Sequence, residues 1–155
     1  IASLYAPNGG EYDSDKFKMK IAFYNEFIKY ISKKNILGDK FIVGGDFNIA
    51  PFDIDVYSPE LLKDNVCFTD VEKKLFRTIL NSGYNDLYRL IYPINKEFSW
   101  WDYRGNSFEK NKGMRIDMIL ANDNLINHVV DSSMLHNERA KDKPSDHAPI
   151  LTIMK

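Results

Sequence analysis

Short apolar and β-branched runs alternate along this chain with segments whose apolar residues recur at every third or fourth position, and this alternation limits the fold more than any other feature. A strand buries one or two faces and a helix one stripe, so such a chain packs helices onto a sheet in an α/β arrangement. Ile1–Tyr5 reads as a strand, stopped by the turn cluster Pro7-Asn8-Gly9-Gly10. Ser14 or Asp15 then caps a long helix with Phe17, Ile21, Tyr24, Ile28 and Ile31 at helical spacing. Its lysines (Lys16, Lys18, Lys20, Lys29, Lys33 and Lys34) are expected on a solvated face. Beyond Gly38, Lys40–Val43 forms a short buried strand running into Gly44-Gly45-Asp46-Phe47-Asn48. Residues 51–68 read as an irregular loop, and Thr69-Asp70-Val71-Glu72 as a capping box opening a helix to Asn81, closed by Gly83. Leu87–Tyr92 adds a helical turn, and Phe98–Trp101, Arg115–Ala121, Val129–Leu135 and Ile150–Met154 are the remaining strands expected.

The chain has 155 residues, the size of one domain, with 44% hydrophobic and 28% charged residues. These values exclude a disordered tail or a low-complexity repeat. No apolar run is longer than Ile21–Tyr24 or Met118–Ala121, so no membrane span is expected. The one cysteine, Cys67, forms no internal disulfide and no cysteine-based zinc site, which points to a reducing compartment, the cytoplasm. A net charge of −1 means that any contact with nucleic acid rests on a local patch. The chain opens at Ile1, inside a strand-like run, which predicts a fragment of a longer protein.

Three acidic positions stand at strand ends. Asp46 follows an apolar run and a glycine pair, with Asn48 two residues on. Asp117 interrupts Ile116 and Met118-Ile119-Leu120, a costly place for a carboxylate without a partner. Asp146-His147 precedes Ala148-Pro149-Ile150-Leu151. Each alone reads first as a turn cap or a satisfied buried acid. Together, carboxylates, an amide and an imidazole delivered by separate strand ends suit metal-assisted phosphoryl chemistry, in which hard Mg²⁺ or Mn²⁺ takes oxygen ligands. His147 and Asp117 are expected to pair, as a carboxylate that fixes an imidazole tautomer.

Five ordered segments carry a resemblance. They are Tyr5-Ala6-Pro7-Asn8-Gly9, Gly45-Asp46-Phe47-Asn48-Ile49-Ala50-Pro51, Phe98-Ser99-Trp100-Trp101-Asp102-Tyr103-Arg104, Gly113-Met114-Arg115-Ile116-Asp117 and Ser145-Asp146-His147-Ala148-Pro149. The chain resembles the C-terminal part of bacterial exodeoxyribonuclease III and the apurinic/apyrimidinic endonucleases of the endonuclease/exonuclease/phosphatase superfamily. The resemblance implies a DNase I-like four-layer α/β sandwich of which residues 1–155 are a partial domain, the N-terminal strands being absent. It also implies a divalent-metal-dependent (Mg²⁺ or Mn²⁺) DNA phosphodiesterase of base excision repair. Such an enzyme incises duplex DNA at abasic sites, acts as a 3′–5′ exonuclease and removes 3′-blocking groups. It is monomeric when full-length and has no membrane partner.

By the same resemblance Tyr5, Asp46, Asn48, Asp117 and His147 are catalytic, and Asp46, Asn48, Asp146 and His147 form or adjoin the metal site. Asn8 lies near the DNA backbone, and Trp101 and Met114 wall a pocket for a base-less sugar. Between residues 104 and 115, Arg104, Lys110, Lys112 and Arg115 face Glu109 alone, with Asn106 and Asn111 as neutral donors. That loop suits phosphate contacts that position a duplex without reading it. The family's principal metal-ligand glutamate has no counterpart in the chain, so the fragment alone is expected to bind but not cleave. Two alternatives stand: a phosphatase acting on a small phosphoester or phospholipid, and a non-catalytic DNA-binding remnant.

Overall fold

The computed structural model describes residues 1–155. In chain order the elements are β1 (Ala2–Tyr5), α1 (Asp15–Ile36), β2 (Ile42–Asp46), α2 (Pro59–Leu62), α3 (Asp70–Asn81), β3 (Tyr84–Asp86), α4 (Leu87–Ile91), β4 (Asp117–Asn122), β5 (Val129–Met134), α5 (His136–Arg139) and β6 (Ile150–Met154). β1, β2, β4 and β3 lie side by side in that order, β1 parallel to β2 and the other pairs antiparallel; β5 and β6 form a separate antiparallel pair. No helix is long and apolar enough to cross a membrane.

The main core is the seam between α1, α3 and the larger sheet. Tyr24 and Ile31 of α1 meet Phe76 and Ile79 of α3 over Val43, Met118 and Leu120, within one cluster of 12 buried residues. Each such side chain stabilises the fold by about 1.5–3 kcal/mol relative to exposure. Ser14 caps α1 by accepting from Phe17 N, and Thr69 with Glu72 closes the capping box of α3. Two smaller clusters anchor the loops, one around Ala50, Val56, Phe68 and Ile116, the other around Phe98, Trp101 and Ala148.

Several expectations change. β2 runs through both glycines to Asp46 instead of ending at Val43. Gly45 stands at φ 142°, and a Cβ there would lie 2.0 Å from the Leu4 carbonyl oxygen, so the close approach that it permits is that of the neighbouring strand. Residues 98–101 form no regular strand; Trp100 makes isolated bridges to Met114 and His147. The loop of residues 51–68 contains a turn at Asp53–Asp55 and α2, and the short strand β3 was not anticipated.

Two cations leave their expected places. Lys20 is wholly buried, paired with Glu72, and not on the solvated face of α1. Arg115, expected on the DNA-facing loop, is also wholly buried. Its Nε lies 2.7 Å from Asp55, and a terminal nitrogen lies 2.7 Å from Asp86, while Arg89 reaches Asp55 as well. A buried guanidinium needs such carboxylates, and here they tie the 104–115 loop to the chain after β2 and to the N-terminus of α4.

Candidate active site

The strand register assembles the site. Tyr5 of β1 pairs with Asp46 of β2, and Asp46 pairs with Asp117 of β4, so three side chains from distant parts of the sequence lie abreast at one end of the sheet. The bridge from Trp100 to His147 brings Asp146 and His147 to the same place. A cavity of about 260 Å³ opens there, lined by Tyr5, Asn8, Asp46, Asn48, Cys67, Trp100, Met114, Ile116, Asp146 and His147. A larger groove of about 680 Å³ between β1 and α1 is almost entirely apolar, with Glu26 its only charged wall, and offers no convergent chemistry.

His147 Nδ1 and Asp117 Oδ2 are 2.8 Å apart, the pairing expected from sequence. Burial disfavours the imidazolium, but the hydrogen bond and charge of Asp117, with Asp46 and Asp146 nearby, outweigh it and raise the His147 pKa. The ring's other nitrogen, Nε2, remains available to the cavity. The β4 entry is steadied by Ser99, whose buried hydroxyl accepts from the backbone N–H of Ile116 at 3.0 Å and of Asp117 at 2.9 Å.

Asp46 accepts from the Asn48 backbone N–H at 2.8 Å through one oxygen and from Asn48 Nδ2 at 2.9 Å through the other. Asn48 Nδ2 also donates to the Ala6 carbonyl at 2.9 Å, and Asn8 Nδ2 donates to Asn48 Oδ1 at 3.2 Å. Asn48 holds φ 49°, a left-handed conformation that asparagine tolerates and that returns its side chain over Asp46. Burial pushes the Asp46 carboxyl up to about 6; the Asn48 N–H opposes this, and the Asp117 charge adds to it.

The two tryptophans exchange the roles expected of them. Trp101 is 2% exposed, packed among Phe98, Phe108 and His136, with Nε1 donating to Asn111 Oδ1 at 3.2 Å. It cannot wall the pocket, because adjacent side chains of an extended segment face opposite ways and Trp101 takes the inward one. Trp100 lines the cavity with Met114 and Ile116, and its Nε1 donates to Asp146 Oδ2 at 2.9 Å. Asn111 is exposed but is spent in part on Trp101; Arg104 is exposed and bidentate to Asp102 at 3.0 and 2.8 Å. Ser99 and Ile116 are the site residues that sequence reasoning passed over, and Trp100 takes the wall position that it gave to Trp101. Alternation along residues 98–101 signals one exposed tryptophan without saying which.

The donor set is hard oxygen: Asp46, Asn48 and Asp146, with His147 beside them. No three His, Cys, Asp or Glu side chains converge closely enough to hold a metal ion. Both Asp46 oxygens accept from Asn48, and one Asp146 oxygen accepts from Trp100. The residues of this chain therefore do not by themselves fit a divalent cation.

The sequence model described as Endonuclease/Exonuclease/phosphatase family matches residues 7–147. Exodeoxyribonuclease III of Haemophilus influenzae is 34% identical over 97% of the chain, which spans 59% of that protein. A DNA-(apurinic or apyrimidinic site) endonuclease of Dictyostelium discoideum is 31% identical over 97% of the chain and 41% of its own length. Among solved structures, the 3′ phosphatase NExo from Neisseria, bound to a product DNA hairpin, superposes with a TM-score of 0.95 at 33% identity, covering 99% of this chain and 60% of that one. An AP endonuclease from Archaeoglobus fulgidus gives 0.94 at 33% identity with the same coverage, 99% and 60%. The chain thus spans about 60% of the length of these bacterial and archaeal relatives.

Proposed function

The chain belongs to the endonuclease/exonuclease/phosphatase family and shares its DNase I-like α/β fold, and from that premise we propose that its site hydrolyses DNA phosphodiesters at abasic positions and at 3′ ends. The observation that carries this reading is the abreast placement of Tyr5, Asp46 and Asp117, with His147 paired to Asp117, at the mouth of a small cavity walled by Trp100, Met114 and Ile116. A carboxyl whose pKa is raised to about 6, beside an imidazole whose pKa is raised by its carboxylate partner, suits in-line attack on a phosphate.

In this reading Asp46, oriented by Asn48, takes the proton of the attacking water. The protonated His147 ring donates through Nε2 to a phosphate oxygen and meets the charge that develops there. Water oxygen bonds to phosphorus as the bond to the 3′-oxygen breaks, and that oxygen acquires a proton at the Tyr5 hydroxyl. A base-less deoxyribose turned out of the duplex enters between Trp100 and Met114, where a sugar still carrying its base meets the cavity walls. Arg104, Lys110 and Lys112 contact phosphates along the flanking strand. A divalent cation, Mg²⁺ or Mn²⁺, belongs to the reading through the family; Asp46, Asn48 and Asp146 are the oxygen donors this chain has to offer it.

A second reading is favoured by the incomplete ligand set: the 155 residues alone bind such DNA without cutting it. The test is a duplex bearing one abasic analogue and a second bearing a 3′-phosphate, incubated with Mg²⁺ or Mn²⁺ and followed by gel and by anisotropy. Binding with incision at the abasic position supports the first reading, and binding without incision supports the second. Absence of both excludes DNA as the substrate.

A further inference from the structure

Lys20, wholly buried with its partner Glu72, is a charge beside the site to which the proposed mechanism gives no work. Its ammonium, wholly buried, donates to the Asn8 carbonyl at 3.0 Å and to the Asn48 carbonyl at 2.6 Å, and pairs with Glu72; Cys67 Sγ lies 4.0 Å away. We propose that Lys20 is a positioning residue for the two asparagines of the site, stapling the chain after β1 to the chain after β2 through their carbonyls. This deepens the proposed function and rests on it.

Three observations carry the staple. First, the carbonyls that it joins belong to the residues whose side chains meet, Asn8 Nδ2 to Asn48 Oδ1 at 3.2 Å, and Asn48 in turn holds both Asp46 oxygens. Secondly, the turn is built against the lysine stem: Gly9 holds φ 98°, and a Cβ there would lie 2.9 Å from Lys20 Cδ. Thirdly, Glu72 is itself fixed, accepting from the N–H groups of Cys67 and Thr69 at 3.0 Å each and from the Thr69 hydroxyl at 2.7 Å. The ammonium is thus held from α3 and reaches across to both strand ends. A buried ion pair is a poor source of stability compared with apolar packing, so its distinctive contribution here is directional. Reacting groups misplaced by an ångström lose turnover, which makes such a brace matter to chemistry more than to folding.

The test separates positioning from simple folding. Lys20→Met alone leaves Glu72 as an unpaired buried carboxylate, so the informative comparison is Glu72→Gln against the double variant Lys20→Met/Glu72→Gln. The first keeps the ammonium beside its two carbonyls but without its counter-charge; the second removes it with no stranded charge. Both are measured for urea midpoint, for exchange of the Asn48 side-chain amide protons by NMR, and for kcat and KM on the abasic duplex. The staple predicts that, relative to Glu72→Gln, the double variant has a midpoint no lower, yet exchanges the Asn48 amide at least about tenfold faster, and loses at least about tenfold in kcat with KM within about twofold. Unchanged Asn48 exchange, or kcat equal in the two variants while the unsubstituted protein turns over, overturns it. Faster exchange in a protein family of variants that never cleaves, the unsubstituted chain included, upholds the staple and refutes the catalytic reading instead.

Discussion

Replacing Asp117 by Asn keeps the shape of the side chain and removes its charge, and it should lower turnover about 10²- to 10⁴-fold while leaving duplex affinity within about twofold. The carboxylate accepts from His147 Nδ1 at 2.8 Å, which leaves Nε2 for the phosphate, and against the opposing effect of burial it is the chief cause of the raised pKa of the ring. Asparagine presents an amide nitrogen as readily as an oxygen, so both the tautomer and the imidazolium charge lose their support. The same pair has a stability signature. The folded-state pKa of His147 lies above its ordinary value of 6.5, so the stabilisation is complete below that value and fades as pH rises through the raised one. With the two side chains 30% and 14% exposed, solvent screening reduces a charged hydrogen bond to about 1 kcal/mol. The variant should therefore lose about 1 kcal/mol at mildly acidic pH and almost nothing at alkaline pH. Single-turnover kinetics on an abasic duplex, anisotropy for affinity, and urea unfolding at two pH values measure all three quantities. Unchanged turnover, or a stability loss independent of pH, would refute the reasoning.

Further expectations follow from the same geometry. Turnover should fall on acidification with an apparent pKa near 6 as Asp46 takes up its proton, and Asp46→Asn should abolish the activity at every pH; an acidic limb near 4 would mean that Asp46 is not the base. Trp101→Ala should destabilise the fold by about 3–5 kcal/mol, whereas Trp100→Ala should leave the unfolding midpoint close to the parent's and reduce discrimination between abasic and intact sites. Equal destabilisation by the two would reverse the assignment made from their burial. Arg115→Met should cost about 3–5 kcal/mol by stranding Asp86 and leaving Asp55 to Arg89 alone, without changing the salt dependence of DNA binding. Arg104→Ala should do the opposite, lowering the slope of log affinity against log salt by up to about one phosphate's worth.

Legibility in the sequence followed distance along the chain. The capping box of Thr69 and Glu72 is local, and α3 starts where those residues place it. The Asp117–His147 pair, 30 residues apart, was accessible because a carboxylate among Ile116, Met118 and Ile119 demands a partner and an imidazole stands at another strand entry. Lys20 was not, since one lysine among six on a helix carries no mark of burial until Glu72, 52 residues on, folds against it. Arg115 reads as part of a basic loop until Asp55, 60 residues earlier, closes on it. The choice between Trp100 and Trp101 is a question of phase. Alternation says that the neighbours diverge, and only the Phe98, Phe108 and His136 cluster decides which one turns inward.

The most direct test of the account is a structure of the protein with a duplex containing a single abasic site. The account predicts the base-less sugar turned out of the helix into the cavity between Trp100 and Met114, with the scissile phosphate within hydrogen-bond reach of His147 Nε2 and beside Asp46. A sugar left in the helix, or a phosphate seated away from His147 and Asp46, would contradict it.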